Sequence, residues 1–175
     1  QGAMRFFRPA TAGIIGATLA VARLEGLDRN SMANAAGLAY SFLSGTMQAH
    51  VEASTALPLQ IANAARGAIC AVDLASAGID GPHDILNGPF GYDALIEPLA
   101  LDSYVASLGN RWRISEVSIK PYPSGRASHG ALGALADMRA EGLVSADTVD
   151  SIELLAPPLI QRLVGRPFRP GAPQS

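Results

Sequence analysis

The sequence predicts a mostly α protein, with an all-helical part up to about residue 109 and, from about residue 110, half of a larger α+β sheet. Three observations carry this. Apolar residues recur at helical spacing through three long stretches before residue 80. Charged residues make up only 16% of the chain, below the roughly 25% usual for soluble domains, with alanine and glycine filling the difference. After Gly109 the pattern turns β-rich, with Trp112, Ile114, Val117 and Ile119 half-alternating.

The first helix is expected over Thr11 to Glu25, with Ile14, Ile15, Leu19, Ala22 and Leu24 at helical spacing and Gly26 and Asp28 as its break. Asn30 or Ser31 would cap the second, which runs to about Leu43. Gln48 to Thr55 reads as a polar link. Pro58 fits the first turn of a third helix, where a missing amide hydrogen costs nothing. That helix runs through Ile61, Ala65, Ile69, Val72 and Leu74 and stops at Gly78. Gly78 to Gly91 has turn chemistry. Short helices are expected at Asp84–Leu86, Tyr92–Ile96 and Asp102–Leu108. A strand follows over Arg113 to Ile119, and Lys120-Pro121-Tyr122-Pro123-Ser124-Gly125 must be a loop because two prolines break any ladder. A helix over Ser128 to Glu141, a second strand over Val149 to Leu155 and a short helix over Leu159 to Val164 complete the order. A lone pair of strands is marginal by itself, hence the reading of half a sheet.

Length and charge exclude several classes. The chain has 175 residues and a formal net charge of −2. Twelve of its thirteen cations are arginines scattered without a run, which argues against a nucleic-acid surface. No stretch reaches 18 uninterrupted apolar residues, so no membrane span is expected. The single cysteine, Cys70, forbids an intrachain disulfide and points to a reducing, cytoplasmic setting. Within its apolar stretch Cys70 reads as a small buried hydrophobe. Gln1-Gly2-Ala3-Met4 reads as a protease-site remnant of an expression vector, and the tail from Arg166 to Ser175 as frayed. The small-residue helices suggest an apolar face covered by a second chain, a homodimer or an assembly with a complementary chain.

The residues that stand out chemically are few. Lys120 is the only lysine, at the expected end of a strand, and His129 begins a helix nine residues on, with Ser124, Arg126 and Ser128 between. A cation facing a helix start makes an anion or carboxylate site, and His129 can move a proton near neutral pH. The same residues also fit a solvated strand-end charge and an ordinary helix start. Gln48 and His50, in Gln48-Ala49-His50-Val51-Glu52, form a second cluster, readable either as a functional loop or as a solvated turn. His83 reads as a helix-cap neighbour. His, Asp and Glu do not recur at metal-ligand spacing and one cysteine builds no zinc site, so neither metal nor cofactor is expected. There is no Gly-x-Gly-x-x-Gly after a strand, no phosphate-binding loop and no nucleophile elbow.

Five stretches, in order, resemble the MmgE/PrpD family, that of 2-methylcitrate dehydratase and cis-aconitate decarboxylase. They are Pro9-Ala10-Thr11-Ala12-Gly13-Ile14-Ile15-Gly16; Leu24 to Asp28 with Ala36-Gly37-Leu38-Ala39; Ala62-Asn63-Ala64-Ala65-Arg66; Gly81-Pro82-His83-Asp84-Ile85-Leu86-Asn87-Gly88; and Lys120-Pro121-Tyr122-Pro123 with His129. The similarity spans about residues 6 to 168. It implies an all-helical MmgE/PrpD-type domain followed by part of an α+β lid domain. On that pattern residues 5–109 are the later part of the helical domain, 110–168 the first half of the lid, and 169–175 a tail. It also implies a metal-independent lyase or isomerase, dehydratase-type, acting on a small di- or tricarboxylic acid, usually as a dimer. Lys120 and His129 would be catalytic, and Arg126, Arg8, Gln48, His50 and Ser124 substrate-binding. Three positions depart from the family pattern. Arg8 stands where catalytic members have histidine before proline, Leu57 about where they have lysine, and Gly125 where the decarboxylase branch has histidine. Arginine binds a carboxylate but does not donate a proton near pH 7. A non-catalytic or partial subunit that needs another chain to complete its site is the alternative.

Overall fold

The computed structural model describes residues 4–165. Its described part falls into two compact units, one ending at Leu108 and one starting at Gly109. The expectations for Gln1 to Ala3 and for the tail from Arg166 lie outside the described residues.

The first unit is built on three long helices, α1 (Arg8–Leu24), α2 (Arg29–Ser41) and α4 (Ala56–Ser76), with one-turn helices α3 (Gln48–Val51), α5 (Tyr92–Leu95) and α6 (Asp102–Ala106) between and after them. α1 begins three residues before the expected start, because Pro9 occupies its first turn, where proline is preorganised for a helix. Asp28 caps α2, rather than Asn30 or Ser31. Its carboxylate accepts from the Ser31 amide at 2.8 Å, which satisfies one of the open helix donors. α4 ends as expected at Gly78, whose φ of 88° is left-handed. The next amide, Ile79 N, then closes back on Leu74 O at 3.0 Å. Two expectations fail here. Gln48 to Val51 is a helical turn rather than a plain link, and Asp84 to Leu86 is a turn rather than a helix, as the glycine- and proline-rich sequence around it favours.

Alanine makes the core. Ala10, Ile14, Ala39, Ala64, Ala68 and Ala71 form one cluster, and Ala22, Ala35, Val72 and Ala75 a second along the same three helices. Such short side chains bury little area each, so stability depends on close backbone approach and dispersion over many small contacts. Glycine extends the same logic to the 81–82 turn lying on α2. A Cβ at Gly37 would sit 2.2 Å from Pro82 O, and one at Gly81 would sit 2.4 Å from Asn34 O. Asn34 fastens this turn, its Oδ1 accepting from Gly81 N at 3.4 Å and lying 2.7 Å from His83 Nε2. His83 is thus a fastener of the turn beside α2 and not the expected cap neighbour, because no helix forms at Asp84 to Leu86. Cys70, expected to be buried, is exposed. The helix turns Ala68, Ala71 and Val72 inward, which leaves Cys70 on the solvent side.

The second unit contains α7 (His129–Ala140) and α8 (Pro158–Val164), with 3-10 turns at Arg113–Glu116 and Arg126–Ser128. Neither expected strand is present among the described residues. Arg113 to Glu116 coils instead, held by Ser115 Oγ donating to Trp112 O at 2.7 Å, by Arg113 on Glu116 at 3.1 Å, and by Arg111 on Glu116. Those two guanidinium groups hold the Glu116 carboxyl below the usual range. A strand needs a neighbour for its ladder. Ile119, at 94% exposed, has nothing laid against it, and Ile152, Leu154 and Leu155 are exposed too. With no ladder to join, local i to i+3 contacts win. No described helix is long and apolar enough to cross a membrane.

Two outcomes follow from these contacts. Gly37→Ala should lose about 1–3 kcal/mol of stability through overpacking, whereas Gly13→Ala on α1, where a Cβ meets nothing within 4 Å, should be neutral or gain up to about 1 kcal/mol. Urea titrations of both variants followed by circular dichroism check the contrast. Second, the Ser31 amide holds the Asp28 carboxyl below the usual aspartate value. A depressed folded-state pKa gives stability that is present above the unfolded value and lost as pH falls toward the folded one. Asp28→Asn keeps an amide-capping oxygen without the charge, so the acid-side fall in melting temperature should become shallower.

Candidate functional site

The loop after residue 119 is locked by its own polar groups. Lys120 Nζ donates to Ser124 O at 3.2 Å, and Ser124 N donates to Tyr122 O at 2.8 Å. Ser128 Oγ donates to Gly125 O at 2.8 Å and lies 2.9 Å from Ser124 Oγ. Because the Ser128 proton goes to a carbonyl, Ser124 is the donor between the two hydroxyls. Proline at 121 and 123 fixes two φ angles of the same stretch. From the other side α8 leans on the loop, where a Cβ at Gly125 would touch Val164 Cγ1 at 3.3 Å.

His129 is the first residue of α7, and its ring meets Tyr122 edge-on, with centroids 5.4 Å apart and planes at 78°. Its Nε2 is shielded from solvent and has no hydrogen-bond partner among the described residues. An unpaired ring nitrogen is costly to shield, so it is available to a group that arrives there. Arg126 is exposed on the 3-10 turn. Lys120, Ser124, Arg126 and His129 therefore lie on one short stretch, although no hydrogen bond joins Lys120 to His129 among the described residues.

The remaining expected site residues belong to the first unit. Arg8 is engaged by Glu97, with Nε and Nη2 both on Oε2, at 2.6 and 2.5 Å. Gln48 pairs with Glu52 across one turn, and His50 is half-buried on α3. Sequence reasoning missed the partners of Arg8. Tyr92 is 3% exposed; its hydroxyl lies 3.1 Å from Thr11 Oγ1 and donates to Glu97 Oε1 at 3.4 Å. Neither Glu97 nor Tyr92 carries a motif, and only contact across 81 to 89 residues of sequence reveals them. At the outer end of the line Thr11–Tyr92–Glu97–Arg8, Glu97 and Arg8 border an open cleft of about 520 Å³. A second cleft, about 510 Å³, is lined by Phe42, Ser44, Asn63, Arg66, Gly67 and Cys70. No three His, Cys, Asp or Glu side chains converge on a metal-sized site among the described residues.

Comparison with known proteins matches residues 1–99 to the MmgE/PrpD N-terminal domain. Cis-aconitate decarboxylase of Mus musculus is 28% identical over 172 residues, 94% of this chain and 34% of the relative. Cis-aconitate decarboxylase of Homo sapiens is 29% identical over 172 residues, 94% of this chain and 35% of the relative. The chain thus spans about a third of the length of the curated relatives it matches.

Burial raises the Tyr92 phenol above its ordinary value, with the Thr11 hydrogen bond opposing and the Glu97 charge adding to the rise. A raised folded-state pKa means stability that is complete below the unfolded value and lost as pH climbs toward the folded one. Tyr92→Phe should remove that alkaline loss. It should also cost about 1–3 kcal/mol near neutral pH, because Thr11 Oγ1 is left buried without its partner. Chemical denaturation at pH 7 and at alkaline pH checks both halves.

Proposed function

Because the chain belongs to the MmgE/PrpD family, we propose that it serves a metal-independent lyase or isomerase, dehydratase-type, acting on a small di- or tricarboxylic acid. The observation that carries the reading is the Lys120–Ser124–Ser128 lock ahead of His129, which holds a lone lysine and a shielded, unpaired imidazole nitrogen on one rigid stretch. In this reading Lys120 and Arg126 attract substrate carboxylates, Ser124 contacts the substrate, and His129 orients it or moves a proton at Nε2. Removing a proton beside a carboxylate builds negative charge on that carboxylate, and fixed cations lower the barrier by stabilising it. Within the first unit, Arg8, Gln48 and His50 are proposed as carboxylate-binding residues in their own right.

Decarboxylation, the activity named for the two relatives, fits these residues less well. Arg8 and Gly125 offer no group that titrates near neutral pH where the family resemblance places histidines. We place the protein in the cytoplasm as a homodimer, or in an assembly with a complementary chain. The helical domain is proposed to end near residue 109 and the lid part to follow. A second reading is favoured by the matched share of the relatives, about a third of their length. In it this polypeptide is one part of a site that another polypeptide completes.

Lys120→Met keeps the stem and removes the charge. Citrate, cis-aconitate or 2-methylcitrate should raise the melting temperature of the unaltered chain. The variant should bind about ten- to hundredfold more weakly, the loss of one charge-assisted bond. Equal affinity of both proteins would make Lys120 an ordinary solvated lysine. If no acid shifts either protein until the remaining polypeptide is supplied, the second reading holds.

A further inference from the structure

Glu97 is bound to Arg8 in a way that leaves the guanidinium half used. A carboxylate that fills an arginine edge lays one oxygen on each nitrogen. Glu97 instead puts Oε2 alone on both Nε and Nη2, at 2.6 and 2.5 Å, and its Oε1 is directed to the Tyr92 hydroxyl at 3.4 Å. The Arg8 side chain is 60% exposed and that of Glu97 25%. Ion pairs this open to water are weakly held and screened by salt. Should Glu97 leave, its carboxylate keeps a partner in Tyr92 and regains solvent, so the exchange strands no buried charge.

The same cleft, about 520 Å³, is lined by Arg5 as well as Arg8. Arg5 is exposed, and its side chain has no partner among the described residues. Its backbone, by contrast, is fixed. Met47 N donates to Arg5 O at 2.9 Å, Phe7 N donates to Gly45 O at 3.1 Å, and Phe6 bridges Thr46. Two guanidinium groups three residues apart on an anchored segment, one idle and one half used, suit a small acid with two carboxylates. We infer that Glu97 occupies Arg8 as an internal stand-in for a ligand carboxylate, and that the Arg5–Arg8 cleft takes a small dicarboxylate by exchange with it. The inference rests on reading Arg8 as a carboxylate-binding residue and is independent of the Lys120 loop.

Succinate serves as the probe and succinamide as its neutral isostere, with the 175-residue chain as the protein. Phenylglyoxal labels accessible arginines, and peptide mass spectrometry reads Arg5 and Arg8 separately. Arg8 should label more slowly than Arg5 in the unaltered chain. In Glu97→Gln the Arg8 rate should rise about two- to fivefold, the range expected for release from a surface ion pair. Succinate should protect both arginines, at a concentration lower by a similar factor in Glu97→Gln, and succinamide should protect neither. In Arg8→Gln, succinate protection of Arg5 should weaken. Arg23→Gln, an exposed arginine in the last turn of α1, should leave the whole pattern unchanged, and labelling read at Arg5 and Arg8 is a separate measurement from the affinity loss expected of Lys120→Met. Equal Arg8 labelling in the unaltered and Glu97→Gln proteins would overturn the inference, as would protection by succinamide equal to that by succinate. Should Glu97→Gln lose helicity, Glu97→Asp, whose shorter stem reaches Arg8 less well, is read in its place, with the same two outcomes decisive.

Discussion

The spacing between α1, α2 and α4 is set by what is missing from their facing sides. Ala10, Ala39, Ala64, Ala68 and Ala71 offer a single methyl group each, so the helix backbones must come close before any apolar surface is covered. Everything else in the first unit accepts that distance. Gly37 and Gly81 remove even the methyl where a turn lies on α2, and Thr18 turns its hydroxyl back on its own helix, to Ile14 O at 2.8 Å, rather than leaving it bare in the core. Tyr92 is the large exception. Its hydroxyl, which donates to Glu97, accepts from Thr11 on α1, and these contacts hold the segment carrying Glu97 against Arg8.

The helices were legible because their signal is local. Helical spacing, Pro58 in a first turn, and Gly26 and Gly78 as stops all act within a few residues, and α1, α2 and α4 appear where those signals stand, α1 starting three residues early at a proline the spacing did not use. The strands were not, because a strand is a property of two segments. The β-rich pattern of Arg113 to Ile119 states a preference that only a neighbour can satisfy, and the described residues supply none. Cys70 fails for a related reason. An apolar stretch does not say which side of a helix is inward, and the alanines at positions 68 and 71 decide it.

The site residues divide along the same line. Lys120, Ser124, Ser128 and His129 lie within ten positions, and their hydrogen bonds run over three or four residues, so proximity was readable from the chain itself. Arg8 was readable as a cation, but not as an engaged one. Its partner lies 89 residues away, beyond any pattern of spacing. On the proposed reading, carboxylate binding here becomes a competition between an internal acid, Glu97, and an external one.

The single tryptophan adds an optical consequence. Trp112 is 73% exposed and lies in the second unit, so the helical core of the first unit holds no tryptophan. Intrinsic tryptophan emission will therefore begin red-shifted in the folded protein and change little when α1, α2 and α4 come apart. A quiet emission spectrum in this protein carries no information about whether its helices are intact. Quenching or a blue shift of Trp112 would instead signal that something has come to rest on the Arg111–Glu116 segment.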